Sequence, residues 1–211
     1  MKHKLQADDF SAEFLSSNAM NRTSHFESEI AEHAEVLFRT RAEIRERFSE
    51  LVAVCTRAVS AGNKLLFFGN GGSASDAQHI ATEFVVRFKA NRRAIAAIAL
   101  TADTTTLTAI GNDFGFENIF SRQIEALCVR GDVAIGISTS GNSANVIRGL
   151  QAARNCGAAT VALGGGDGGQ MKNHADHVIL VPSSVTARIQ EMHITIGHIL
   201  CGAVELELGL V

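Results

Sequence analysis

Apolar residues after about residue 60 occur in short continuous runs, separated by stretches with helical spacing. The runs are Lys64–Phe68, Ala94–Leu100, Asp132–Ile137, Ala159–Leu163 and His177–Val181. Continuous rather than alternating hydrophobicity is typical of parallel strands that are buried on both faces. Apolar spacing of three and four residues predicts helices at Ser73–Arg87, Glu117–Cys128, Ser143–Cys156 and Thr186 to about Leu208. This alternation predicts an α/β fold with an open, five-stranded, mostly parallel sheet and helices on both faces.

The N-terminal part of the chain has a different pattern. Apolar residues from Phe26 to Ser60 recur at helical spacing, and Gly62 ends that stretch. Residues 1–25 are interpreted as an N-terminal extension and residues 26–211 as a single domain that includes the helical segment. Charged and polar residues alternate in the first twenty positions, without the apolar core of a signal peptide.

Composition narrows the class of protein. The chain has 211 residues, of which 46% are hydrophobic and 19% charged, with a net charge of −3. A chain of this size and composition buries a substantial core. The absence of a Lys/Arg block argues against a dedicated nucleic-acid binder, and no run approaches the ~20 apolar residues that cross a bilayer. Four cysteines without a CxxC pair suit neither a disulfide framework nor a thiolate zinc site, so we expect a cytoplasmic protein.

Two unusual loops follow the first and third predicted strands. The first is Gly69-Asn70-Gly71-Gly72-Ser73, and the second runs from Ser138 to Ser143 as Ser-Thr-Ser-Gly-Asn-Ser. Each opens a helix, where free N–H groups and the helix dipole favour anions. Serine and threonine could instead merely cap the helices while glycine makes the turn. Two such loops at one sheet edge favour a phosphorylated ligand.

The type of phosphorylated ligand can be narrowed by motif. The motif GxxxxGK[ST] is absent from the sequence, which excludes a P-loop NTPase. The glycine loop fits a degenerate dinucleotide fingerprint, but no acidic residue closes the second strand at the expected offset. A sugar phosphate needs only one anion pocket and polar groups for its hydroxyls.

Several residues are candidates for metal binding. His79 and Glu83 are four apart and share one helix face, while Gln190 and His198 are eight apart and lie roughly on one face of the last helix. Two imidazoles, a carboxylate and an amide oxygen could hold a divalent metal, above all zinc. Spacing alone leaves a surface ion pair as the alternative. The pair Asn112-Asp113, placed in a loop, is either a plain turn or a contact for a sugar hydroxyl.

Four segments of the sequence resemble the phosphoheptose isomerase branch of the sugar isomerase (SIS) family. They are Phe68–His79 (FGNGGSASDAQH), Leu107–Glu117 (LTAIGNDFGFE), Gly136–Val146 (GISTSGNSANV) and Thr186–Ile194 (TARIQEMHI), in the family's order. The resemblance covers the chain from about Phe26 to its end. It implies a flavodoxin-like, three-layer SIS domain and conversion of D-sedoheptulose 7-phosphate to D-glycero-D-manno-heptose 7-phosphate. That reaction begins bacterial heptose synthesis for lipopolysaccharide core and other surface glycans.

The resemblance also implies a site. One zinc ion per subunit would be held by His79, Glu83, Gln190 and His198. Substrate would be held by Asn70, Gly71, Gly72, Glu83, Asn112, Asp113, Ser138, Thr139, Ser140, Ser143 and Gln190, with the Ser138–Ser143 loop on the phosphate. A cytoplasmic homotetramer is implied, with active sites at the subunit contacts.

Aldose–ketose conversion needs a base beside the carbon and proton donation at oxygen. Glu83 is the candidate base and His198 the candidate acid. The alternative is a non-catalytic SIS paralogue that binds the replication initiator protein. That paralogue lacks a histidine at the position of His198 and carries a larger residue at that of Ser140, so both residues favour the enzyme.

Overall fold

The N-terminal part of the structure is helical. The structure is a computed structural model that describes the backbone of residues 12–211 and the side chains of residues 21–211. Helix α1 spans Ala12–Glu43 and α2 spans Arg45–Ser60. The segment expected to be helical from Phe26 is therefore two helices, the first of which begins within the expected extension. Residues 1–11 of that extension lie outside the described residues.

The five expected strands form one sheet, and all of its pairings are parallel. The strands are β1 (Leu65–Gly69), β2 (Ala97–Ala99), β3 (Val133–Ser138), β4 (Ala159–Gly165) and β5 (His177–Val181). Their order is β2-β1-β3-β4-β5, and Phe67 of β1 pairs with Ala99 on one side and Ile135 on the other. Every residue of β1 and β3 is buried, as the continuous apolar runs predicted.

Helices cover both faces of this sheet. They are α3 (Gly72–Val85), α4 (Thr104–Phe114), α5 (Ser121–Leu127), α6 (Ala144–Asn155) and α7 (Thr186–Glu207), with 3₁₀ turns at Phe116–Asn118 and Met171–His174. One apolar core joins α2, α3 and α7 to the sheet, and a second joins α5 and α6 to its other face. The three-layer α/β architecture expected from the sequence is confirmed.

Between β2 and α5 the observed helices differ from those predicted from the sequence. Helix α4 was not expected, because three successive threonines begin it and threonine has modest helix propensity. The side chain of Asp103 starts the helix by accepting a hydrogen bond from the Thr106 N–H. The helix expected at Glu117–Cys128 is a 3₁₀ turn followed by the shorter α5.

Within the described part of the chain, none of the helices combines the length and the apolar character that a membrane span requires.

Candidate active site

The two loops meet where the order of the strands reverses. Strand β2 is added on one side of β1, whereas β3, β4 and β5 are added on the other side. The direction in which the chain adds strands therefore reverses between β1 and β3. Ligands of open α/β sheets bind at such a point, outside the carboxyl ends of the strands. The glycine loop follows β1 and the Ser138–Ser143 loop follows β3, which places both at this crevice.

The Ser138–Ser143 loop turns tightly and keeps its hydroxyls away from helix capping. Gly141 has φ +65°, and a side chain there would collide with the Gly168 carbonyl oxygen. Ser143 precedes α6 without making a side-chain cap hydrogen bond; its Oγ lies 3.0 Å from Oγ of Ser138. The capping explanation therefore does not account for Ser143. The start of α6 and the neighbouring hydroxyls are suited to an anion, although the Val146 N–H already donates to Asn145 Oδ1 and the Asn142 N–H to Ser140 Oγ.

The glycine loop is tied to the second loop by a pair of amides. Asn70 Nδ2 donates to Asn145 Oδ1 at 2.9 Å, and Asn145 Nδ2 donates back to Asn70 Oδ1 at 2.9 Å. Asn145 is buried in the first turn of α6. Asn145 was not among the residues predicted from the sequence, although it lies within the segment Gly136–Val146. Asn70 thus holds the two loops together, and its side chain is already engaged in this structure.

His79, Glu83 and His198 converge where α3 meets α7. His79 Nε2 lies 3.3 Å from Glu83 Oε1 and 3.1 Å from His198 Nε2. One ligand atom from each residue lies within 4.8 Å of the others. The close approach of α3 and α7 depends on Gly197, because a side chain there would overlap Ile80. The tertiary fold therefore brings together residues that the sequence placed on separate helices.

The spacing of these atoms suits a shared zinc ion. Two nitrogen ligands at about 2.0–2.1 Å from a tetrahedral zinc are about 3.3 Å apart. The 3.1 and 3.3 Å separations found here are close to that value, and they are also the lengths of a hydrogen bond between the imidazoles and of a His79–Glu83 ion pair, so the cluster fits zinc without requiring it. The imidazole of His198 is further fixed by stacking on Phe88, with 5.5 Å between ring centroids. Two imidazoles and a carboxylate are also the donor types that zinc prefers.

Gln190 of α7 lies against Gly72, the first residue of α3. A Cβ built on Gly72 would come within 2.5 Å of its Nε2, so the amide rests against the glycine loop. The neighbouring polar residues of α7, His193 and Glu191, face other parts of the structure. His193 Nε2 donates to the Gly164 carbonyl at 3.0 Å, and burial lowers the pKa of His193 to about 4. Glu191 lies 2.7 Å from both Arg188 and His33.

Asn112 and Asp113 are not in a loop, which corrects the sequence analysis. Both lie in the last turn of α4, exposed, and Asn112 Nδ2 donates to Asp113 Oδ1 at 2.8 Å. Among the described residues they form no hydrogen bond with either loop. Asp103 caps the start of α4, and the helix continues through Asn112 and Asp113, where the sequence had suggested a loop.

Asp76 is a second residue that sequence reasoning missed. It lies one turn before His79 on α3, and its Oδ2 is buried without a hydrogen-bond partner in the described structure. Burial raises the pKa of Asp76 to about 6, and the nearby His79 partly offsets that effect. The sequence did contain one signal for Asp76: it is an acidic residue three positions before His79, and so lies on the same face of the predicted helix.

The parallel sheet and the two loops at its β1/β3 crevice define a doubly wound α/β domain with a candidate ligand site, and comparisons with known proteins assign its family. A family model described as SIS domain matches residues 11–165. A phosphoheptose isomerase of Paramagnetospirillum magneticum is 58% identical over 88% of this chain and 97% of its own length. A phosphoheptose isomerase of Aquifex aeolicus is 56% identical over 82% of this chain and 95% of its own.

A solved structure of a phosphoheptose isomerase is also similar to this chain. The phosphoheptose isomerase of Neisseria gonorrhoeae superposes with a TM-score of 0.83 at 40% identity, covering 87% of this chain and 98% of that one. The chain belongs to the phosphoheptose isomerase family of SIS-domain proteins.

Proposed function

We propose that this chain is an aldose–ketose isomerase that converts D-sedoheptulose 7-phosphate to D-glycero-D-manno-heptose 7-phosphate. The observation that carries the proposal is the convergence of His79, Glu83 and His198 between α7 and α3, the helix that follows the glycine loop. Relatives more than 50% identical over most of the chain bear the name phosphoheptose isomerase. The reaction begins heptose synthesis for bacterial surface glycans, including lipopolysaccharide core.

The phosphate of the substrate binds at the Ser138–Ser143 loop. Ser138, Thr139, Ser140 and Ser143 supply hydroxyls there, and the start of α6 supplies backbone N–H groups. The glycine loop, through Asn70, Gly71 and Gly72, lines the neighbouring part of the sugar. The absence of a side chain at Gly71, beside which the space is open, lets the substrate approach the backbone, and the absence of one at Gly72 makes room for the Gln190 amide.

A zinc ion is held by His79, Glu83 and His198, with the Gln190 amide oxygen as fourth ligand. The donor types and the 3.1–3.3 Å separations support this assignment. When bound, zinc supplies Lewis-acid polarisation of a substrate oxygen. Gln190 reaches the site from the same helix as His198, and its position against Gly72 supports contact with substrate as well.

Proton movement is assigned to Glu83 and His198. The Glu83 carboxylate takes the proton from C1 of the ketose and returns it at C2, by way of an enediol. His198 donates a proton to O2 as the enediol forms and takes up the proton of O1 as the C1 aldehyde forms, which restores the protonated imidazole. With zinc bound, Glu83 would need an oxygen lone pair free of the metal to act as the base, and His198 would need a ring nitrogen that carries a proton to act as the acid.

Asn112 and Asp113 belong to this proposal as residues that bind sugar hydroxyls from the end of α4. Their exposure in the single chain supports a site that is completed by a neighbouring subunit.

The active form is a cytoplasmic homotetramer with its active sites at subunit contacts. Phe26, Ile30 and Phe38 of α1 are 60%, 51% and 64% exposed. Apolar residues of this size on one helix favour a covering surface. The half-exposed side chain of His79 supports a site that a subunit contact encloses. The four cysteines are free thiols, which suits a reducing compartment.

The replication-initiator-binding paralogue is not favoured. His198 joins the convergent cluster, and Ser140 leaves its loop uncrowded. The relatives reported above also carry the name of the enzyme.

Turnover of purified protein on sedoheptulose 7-phosphate tests the proposal, in a coupled assay before chelation, after it and after zinc is added back. We expect activity that falls on chelation and returns with zinc. Turnover that is indifferent to chelation would retain the isomerase and remove the metal. No turnover in any state would contradict the proposal, and a pull-down with the replication initiator would then test the paralogue.

A further inference from the structure

A fully buried ion pair lies beside the candidate metal site. Arg92 Nε lies 2.6 Å from Glu205 Oε1, and both side chains are only 1% exposed. Arg92 follows α3 in the chain, whereas Glu205 lies in the last turn of α7. The Phe88 N–H donates to the same Glu205 oxygen at 3.2 Å. We call this pair the Arg92–Glu205 bridge.

The other guanidinium nitrogens of Arg92 reach the end of α3. Nη2 donates to the Glu83 carbonyl at 2.8 Å, and Nη1 donates to the Phe84 carbonyl at 2.7 Å. These carbonyls belong to the last turn of α3, where helices leave carbonyl groups without a helical partner. A positive group at this end also complements the helix dipole. One side chain therefore binds the backbone of Glu83 and a carboxylate of α7 together.

The bridge is aligned with the candidate ligands on both helices. Glu205 is two helical turns beyond His198 on α7, so both side chains project towards α3. On α3 the bridge holds the backbone of Glu83 itself. We infer that Arg92 and Glu205 are positioning residues, which fix α3 against α7 so that Glu83 and His79 meet His198. This inference rests on the proposed function, because it concerns the geometry of the proposed metal site.

Stability alone is a weak explanation for such a pair. Burying two charges costs desolvation energy, and replacement by apolar residues is often neutral or stabilising. A second ion pair with a buried carboxylate lies far from the site and serves as a comparison. Lys64 Nζ lies 2.6 Å from Asp132 Oδ2, and the Asp132 side chain is fully buried. That pair lies at the amino ends of β1 and β3, opposite the edge that carries the loops.

Glu205→Gln and Arg92→Met, with Asp132→Asn as the control, test the inference in the full chain. Zinc affinity is measured by competition with a chromophoric chelator, and the ligand geometry by the visible spectrum of the cobalt(II)-loaded protein. kcat and KM for sedoheptulose 7-phosphate and the midpoint of thermal unfolding complete the set. Mutating groups that orient metal ligands typically costs about 10–100-fold in affinity or activity.

We expect Glu205→Gln and Arg92→Met to lose about 10–100-fold in zinc affinity and in kcat, with an altered cobalt spectrum. KM should stay within about twofold, because the phosphate loop lies on another part of the crevice. Asp132→Asn should lower the unfolding midpoint while zinc affinity, spectrum and kcat stay unchanged.

Either of two results in the variants would overturn the inference while the proposed function stands. Wild-type zinc affinity and spectrum in Glu205→Gln would show that the bridge does not position the ligands. An equal loss in Asp132→Asn would show that any buried ion pair has the same effect through stability. A wild-type chain that binds no zinc and turns over no substrate would instead remove the proposed function, and the inference with it.

Discussion

Gly197→Ala tests whether the close approach of α3 and α7 creates the site. Gly197 directly precedes His198, and the added methyl would overlap Ile80, which directly follows His79. A Cβ built at Gly197 lies 2.6 Å from Cγ1 of Ile80, whereas carbon atoms in contact are about 3.5–4.0 Å apart. Ile80 is buried and has little room to turn away, so we expect the two helices to separate by about 1 Å at the level of the ligands.

The effects on stability and on activity differ in size. Overpacking costs about 1–3 kcal/mol. Alanine in place of glycine inside a helix recovers about 1 kcal/mol. The net loss is about 0–2 kcal/mol, and each kcal/mol lowers the unfolding midpoint by about 2–4 °C in a chain of this size. A displacement of about 1 Å at reacting groups can cost about 100-fold in rate.

The assay compares kcat, zinc affinity and unfolding midpoint of Gly197→Ala with those of Gly202→Ala. A Cβ at Gly202 meets only Phe88, at 3.4 Å, an ordinary contact, so this control gains helix propensity without separating the helices. We expect kcat and zinc affinity to fall at least about 10-fold in Gly197→Ala and to stay unchanged in Gly202→Ala. Unchanged zinc affinity in Gly197→Ala, or an equal loss in Gly202→Ala, would refute the reasoning.

Three further predictions concern single side chains. His198→Asn should abolish turnover while the circular dichroism spectrum stays that of the wild type; retained activity would remove His198 from both of its roles. Ser140→Arg should raise KM for the phosphosugar by crowding the anion loop, and an unchanged KM would place the phosphate elsewhere. Asp76→Asn should change how stability depends on pH in the metal-free protein. The raised pKa of Asp76, about 6 against an ordinary 3.8, means that the folded state retains a proton which the unfolded state releases. Its contribution to the free energy of unfolding is therefore full below about pH 4 and lost as pH rises through 6. Urea titrations should show the stability of the variant, relative to wild type, increasing across that window; a constant difference would contradict the assignment.

The sheet was predictable because its central strands are buried on both faces. The continuous apolar runs of β1 and β3 have no exposed side to interrupt them, so hydrophobicity alone located them. Helix α4 escaped prediction because its threonines carry a weak helical signal and its start depends on one side-chain cap at Asp103.

The site was predictable only in part, because its contacts join distant segments. The four-residue spacing put His79 and Glu83 on one face of α3, but spacing within a helix does not reveal which other helix meets that face. The contact between His79 and His198 spans 119 positions, and the Asn70–Asn145 pair spans 75. Arg92 and Glu205, separated by 113 positions, carry no local motif at all. These pairings arise only when the parallel sheet sets α3, α6 and α7 around one crevice.

A crystal structure of the zinc-loaded protein with sedoheptulose 7-phosphate, measured at the zinc absorption edge, tests the central claim most directly. We expect one anomalous peak per chain, within about 2.0–2.2 Å of ligand atoms from His79, Glu83 and His198. The phosphate should lie against Ser138–Ser143 at the start of α6. A zinc peak away from these three residues, or a phosphate bound outside that loop, would contradict the account.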